Sequence, residues 1–217
     1  MTADPPWLVA DLGVDHDVIS HAVVGGGLGR ARRVAWLQVC DADLPPGVDP
    51  AAWLHRRLEA RSLPATVGLL TASNIAHHRR VARQVAGVTA DAVVTVGLAN
   101  RLRVGDLPTP LAPGTINALV VLDHPLRTEA LIEALAIAVE ARTAAVSALN
   151  LASPVSGRPA TGTGTDCVVV AAPGAGLAAD ARMLPYSGKH TPAGAAIGRA
   201  VYDAVLGGGR AWIARQR

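Results

Sequence analysis

Apolar positions along the chain recur in two rhythms, one alternating or continuous as in strands, the other spaced by three and four as in helices. Trp7-Leu8-Val9-Ala10-Asp11-Leu12 and Val18-Ile19-Ser20-His21-Ala22-Val23-Val24 read as two strands, and the short polar stretch Gly13-Val14-Asp15-His16-Asp17 between them predicts a hairpin. After Gly25-Gly26-Gly27, residues 33–39 give a third strand, so this end of the sheet is expected to be antiparallel. Asp49 and Pro50 supply an N-cap and a first helical position for residues 51–60. Strands follow at 65–71, 92–98 and 115–123, with a short helix expected between His78 and Val85. Residues 1–6 read as a loose tail, and residues 97–113 and 174–185 as connections rich in Gly, Pro and Ala.

The longest helical pattern runs from Glu129 to about Leu149, with Thr128 as its expected cap. Leu131, Leu135, Ala138, Val139, Val146 and Leu149 form its core stripe, while Glu129, Glu133, Glu140, Thr143 and Ser147 fall on other sides. A last helix opens at Thr191-Pro192, buries Ile197, Val201, Ala204 and Val205, and is expected to stop at Gly207-Gly208-Gly209. These elements predict a single α+β domain over residues 1–217, with a mixed, partly antiparallel sheet covered by two or more helices. Strand order does not follow from the pattern.

Half of the residues are apolar and 17% are charged, enough for a large core and too little charge for disorder. No uncharged apolar run reaches 18 residues and the start lacks signal-peptide character, so a cytoplasmic protein with no membrane partner is expected. Cys40 and Cys167 lie far apart without metal-type spacing, and adjacent His77 and His78 are poorly placed to chelate one ion, so no metal is expected. The net charge of +3 comes from scattered arginines, with Lys189 as the one lysine. Phe is absent and aromatics make up 3%, which removes the stacking platforms of a nucleic-acid binder.

Candidate chemistry concentrates in Thr161-Gly162-Thr163-Gly164-Thr165-Asp166, an alternating Gly/Thr loop that delivers a carboxylate to the mouth of the apolar run from Cys167. A polar turn between two elements has the same composition. Ser187-Gly188-Lys189-His190-Thr191 precedes the last helix, whose first amides favour an anion. A phosphate-loop reading of Gly188-Lys189 fails, because Met183 stands where a glycine is needed and His190 where Ser or Thr is needed. Neither a Gly-x-Ser-x-Gly elbow nor a His-Glu-x-x-His motif is present, and Cys167 sits where a packed thiol is expected.

Four stretches together carry a resemblance: Gly114-Thr115-Ile116-Asn117, Glu140-Ala141-Arg142-Thr143-Ala144-Ala145, the Thr161–Asp166 loop, and Ser187-Gly188-Lys189-His190-Thr191. With Gly97-Leu98-Ala99-Asn100, Gly105-Asp106, Ser20, Gly26 and Gly27, they span residues 7 to 206 in order. The chain resembles the adenosylcobinamide amidohydrolase family of archaea and bacteria. It departs from that family's pattern at Gly25 and Trp36, where the family has Asn.

The resemblance implies hydrolysis of the amide that joins the aminopropanol arm to the corrin ring, giving adenosylcobyric acid and 1-amino-2-propanol in coenzyme B12 salvage. It implies no protein cofactor, since the cobalt travels with the corrinoid substrate, and it leaves room for a homo-oligomer. Within that reading Asp166 is the expected base, His190 the proton shuttle and Lys189 the oxyanion cation. Thr161, Gly162, Thr163, Gly164, Thr165, Asn117, Glu140, Thr143, Ser20, Gly26 and Gly27 are the expected substrate contacts, with a Thr nucleophile as the minority view. The rival reading is a non-catalytic corrinoid or nucleotide binder that uses the same loop.

Overall fold

The computed structural model describes residues 1–4, 6–109, 113–174 and 183–216; most of the 174–185 connection and part of the 97–113 connection lie outside them. The chain runs through β1 (Thr2–Asp4), β2 (Trp7–Ser20), β3 (Gly27–Gln38), α1 (Pro50–Ala60), β4 (Thr66–Thr71), β5 (Arg79–Val85) and β6 (Val88–Val96). It continues through β7 (Arg101–Leu102), β8 (Ile116–Leu122), α2 (Thr128–Ala148), β9 (Gly162–Thr163), β10 (Cys167–Pro173) and α3 (Pro192–Arg215). The main sheet has the order β4-β3-β2-β10-β8-β6-β5, with β1 on β2, while β7 and β9 pair apart. β3 with β4 and β8 with β10 are parallel and the remaining pairs antiparallel, so the α+β fold has a mixed sheet.

The sheet curls until its two halves face each other. β4 and β8 have three strands between them in the order, yet Asn117 Nδ2 donates to Leu70 O at 2.7 Å. Leu8, Val18, Trp36, Leu69, Val93, Leu119 and Val169 fill the space enclosed between the halves. α1 covers the outer face of β2–β4 with Trp53, Leu54 and Leu58, whereas α2 and α3 cover the outer face of β6, β8 and β10. Apolar side chains thus alternate between two buried faces along each inner strand.

Four expectations need correction. The predicted hairpin at 13–17 is a bulge inside one long strand: Trp7–Asp11 pair with Leu37–Arg33 and His16–Ser20 with Ala31–Gly27, so residues 12–15 face Arg32 alone. Residues 2–4 are not a tail, since they pair with Val9, Leu8 and Trp7. The short helix expected before Val85 is β5, which packs Val81 and Val85 onto the helix-side core and turns into β6 through Ala86 and Gly87, both at positive φ. Finally, α3 continues through Gly208 and Gly209 to Arg215. A Cβ on Gly208 would meet Val96 Cγ2 at 2.7 Å, and one on Gly209 would meet Leu149 Cδ1 at 2.3 Å. Both glycines let α3 lie against β6 and the end of α2, and that packing outweighs their weak helix propensity.

The expected helix starts hold with one change. Asp49 accepts from Ala51 N and Ala52 N, and Thr191 accepts from Gly194 N, as N-caps do. In α2, Thr128 is the first helical residue and Arg127 the cap, without a side-chain cap bond. Trp36, where the family pattern has Asn, is fully buried between the two halves of the sheet, and its Nε1 has no partner among the described residues.

Candidate functional site

The Gly/Thr loop is shaped by its own carboxylate. Asp166 Oδ1 accepts from Ile116 N at 2.9 Å and from the Thr163 hydroxyl; Oδ2 accepts from Thr163 N at 2.9 Å and meets Arg142 Nη1 at 3.1 Å. Both partners of that ion pair are buried, with side chains 5% and 13% exposed. Gly162 sits so close that a Cβ there would lie 2.4 Å from Asp166 Oδ2, which is why the loop needs a glycine at this point. With four donors around it, the carboxylate's acceptor sites are taken up within the fold.

Its neighbours hold the loop on both sides. β9 pairs with β7, Thr161 N donates to Leu102 O at 2.9 Å, and Thr161 Oγ1 accepts from Val104 N at 2.8 Å. Thr165 Oγ1 donates to Gly114 O at 3.2 Å, and Thr115 Oγ1 donates to Thr165 O at 2.8 Å. The turn after β7 is stapled as well: Asp106 Oδ2 accepts from Arg103 N at 2.8 Å and from Ser153 Oγ at 2.5 Å, and Arg103 Nη1 donates to Pro159 O at 2.9 Å. The Ser153 hydroxyl holds the Asp106 carboxyl below the usual carboxylate range.

This network encloses a recess of about 420 Å³ lined by His21, residues 102–104, Val139, Arg142 and residues 161–166. His21 enters it from the loop between β2 and β3. Buried Ser20 shapes that loop by donating to Gly25 O at 3.2 Å and accepting from Ala22 N at 3.3 Å. His21 N donates to Val168 O at 3.2 Å, and its carbonyl accepts from Cys167 Sγ at 3.4 Å. Burial, reinforced by the negative charge of Asp166, pushes the Cys167 thiol up to about 11, with Arg142 acting in the opposite direction. At neutral pH iodoacetamide should therefore label exposed Cys40 well before Cys167, which should react only as pH approaches 11; peptide mass mapping across pH checks this. Equal labelling at pH 7 would contradict the buried setting.

The structure divides the remaining expected site residues among other places. Lys189 does not face Asp166: its Nζ pairs with Glu140 Oε1 at 2.5 Å, with both side chains more than half exposed, in a separate groove between α2 and α3. Asp166 already has Arg142, and the lysine is balanced instead by Glu140 in the middle of α2. His190 is exposed and lines neither cavity, and the first free amide region of α3 is partly occupied by its own cap, Thr191. Thr143 accepts from Arg142 Nη2 at 3.4 Å beside the ion pair. Asn117 is buried and spent on Leu70 and Thr115. Gly26 lines a third, larger cavity with Gly25, His55 and Glu59, and Gly27 starts β3.

Two residues of the recess escape sequence reasoning. Arg142 stands inside a motif quoted above, but its helix spacing did not mark it, and only the distance to Asp166 does. His21 reads as strand interior, whereas the strand ends at Ser20 and frees it. Among the described residues no group of three His, Cys, Asp or Glu side chains could hold a metal ion, and no helix is long and apolar enough to cross a membrane.

Comparison with known proteins yields one whole-length match. A family model described as adenosylcobinamide amidohydrolase matches residues 1–217. Among solved structures, the chain is similar to a Burkholderia sp. beta-aminopeptidase at 17% identity, with a TM-score of 0.41, over 89% of this chain and 74% of that one. It is similar to a Pyrococcus horikoshii OT3 protein at 12% identity, with a TM-score of 0.43, over 89% and 72%. Curated proteins give no match.

Proposed function

The chain belongs to the adenosylcobinamide amidohydrolase family, a family of amide-bond hydrolases, and from that membership we propose that its substrate is adenosylcobinamide, cleaved to adenosylcobyric acid and 1-amino-2-propanol. The whole-length family match carries this reading, and the chemistry of the recess supports it. A carboxamide arm needs both an acceptor for its N–H and a donor for its carbonyl. Thr161 Oγ1 accepts within the fold and keeps its hydrogen to give, whereas Thr163 and Thr165 donate within the fold and keep lone pairs to receive. At about 420 Å³ the recess suits one arm of a corrinoid, with the macrocycle outside.

In this reading Asp166 and Arg142 organise the loop, and His21 carries the proton. Water attacks the amide carbonyl carbon and gives a proton to the His21 imidazole. The C–N bond then breaks as that proton passes to the leaving nitrogen, giving the amine and a carboxylic acid, and the acid's own proton then moves to the amine, so a carboxylate and an ammonium result. With Arg142 balanced by Asp166, Arg103 leaves the recess a positive charge that favours the oxyanion and the carboxylate product. Lys189 and Glu140 lie outside this step.

Incubating the purified protein with adenosylcobinamide and separating the products by chromatography tests the proposal. Formation of adenosylcobyric acid supports it. Tight binding with no product would instead fit a non-catalytic corrinoid binder, the reading to which the saturation of Asp166 lends weight. Absence of both would remove the substrate.

A further inference from the structure

The two most exposed large apolar side chains among the described residues are Val104 at 81%, in a turn at the rim of the recess, and Leu107 at 78%, one residue beyond that turn. Lone exposed hydrophobes are ordinary, but here one lies in a turn that the fold fixes at several points and the other directly follows it. Asp106 receives Arg103 N and Ser153 Oγ, the Arg103 guanidinium holds Pro159 O, and Val104 N is bound by Thr161 of the loop itself. A turn tied at four points presents its apolar side chains in one place, which lowers the entropy cost of binding against them.

What would rest there follows from size and polarity. The recess is too small for a conjugated macrocycle, so a molecule whose arm occupies it leaves its ring at the mouth. Such a ring has apolar faces and a polar, carboxamide-bearing edge. Val104 lines the recess and stands where a ring face meets the protein while the arm reaches Thr161, Thr163 and Thr165; Leu107, also exposed, follows three residues later, which keeps it within about 11 Å of Val104 along the chain. We infer that Val104 and Leu107 form the platform on which the corrin face of the substrate lies, and so select corrinoid amides over short ones. The inference rests on the proposed substrate.

The experiment compares the wild-type protein with Val104→Ser and Leu107→Ser, using adenosylcobinamide and a short surrogate amide, N-acetyl-1-amino-2-propanol. Loss of one buried aliphatic contact corresponds to roughly a tenfold or larger change in affinity. The ratio of KM for adenosylcobinamide to KM for the surrogate should therefore rise about tenfold per substitution, with Leu107→Met restoring it, and circular dichroism should report an unchanged fold. Equilibrium dialysis of adenosylcobinamide gives a second readout that needs no turnover. If the wild-type protein binds the corrinoid without cleaving it, and the variants bind it more weakly, the platform stands and the amidohydrolase reading falls. If the wild-type protein is active and the ratio does not move, the platform falls alone. Failure of the wild-type protein to bind any corrinoid overturns both.

Discussion

Replacing His21 by glutamine should lower kcat for adenosylcobinamide hydrolysis by roughly 10²–10⁴ without loss of the fold, because glutamine keeps hydrogen bonding but cannot carry a proton. His21 is the one group inside the recess that elimination leaves for this task. Four side chains that line it carry a charge or an imidazole: His21, Arg103, Arg142 and Asp166. Asp166 is committed to four donors, and arginine does not give up its proton at any working pH. Imidazole is the side chain whose charge changes nearest neutral pH. Cys167, behind it, is held neutral by burial. A variant with normal kcat would show that the proton moves through another group.

The second large effect falls on stability. Asp166→Ala should cost about 3–5 kcal/mol in chemical denaturation, because it leaves the Arg142 guanidinium buried and uncompensated. The carboxylate also satisfies Ile116 N and Thr163 N, and both amides would lose a partner. Asp166→Asn should recover little, since its NH₂ group would confront these same donors. The diagnostic is the double variant Asp166→Ala with Arg142→Met, which should cost much less than the two single changes added together. Strict additivity would mean that the pair does not act as a unit. Loss of activity in the single variants would then report a collapsed loop and not a missing base.

Much of the frame was legible in the chain. Asp49 before Pro50 and Thr191 before Pro192 mark helix starts because their side chains have one strong local use, the capping of free amides. The apolar runs that became β8 and β10 read as buried strands because both of their faces meet cores. Where reading failed, distant partners decided. Residues 13–17 carry turn chemistry, yet β3 pairs with β2 on either side of them and keeps the strand continuous. The glycines at 208 and 209 look like a stop, yet Val96 and Leu149 require that little side chain there. In the site, the Gly/Thr alternation announced the loop, but no local pattern could say that Asp166 would be paid off by Arg142 or that Lys189 would find Glu140.

The position of β10 sets a schedule for biosynthesis. β10 is inserted between β2 and β8, with Val169 opposite Ser20 on one side and Leu119 on the other. The inner edge of the long N-terminal strand thus waits for a partner made about 150 residues later, which at ordinary translation speeds is a delay of roughly 8–30 s. Once β8 is made, the nascent chain carries two open, largely apolar strand edges until β10 follows, the kind of surface on which chains join one another. Nothing earlier in the sequence can close the gap, since β8 has no hydrogen bonds to β2 and reaches it only through β10. Yield in cells should consequently depend on protection of the growing chain as well as on the stability of the finished fold.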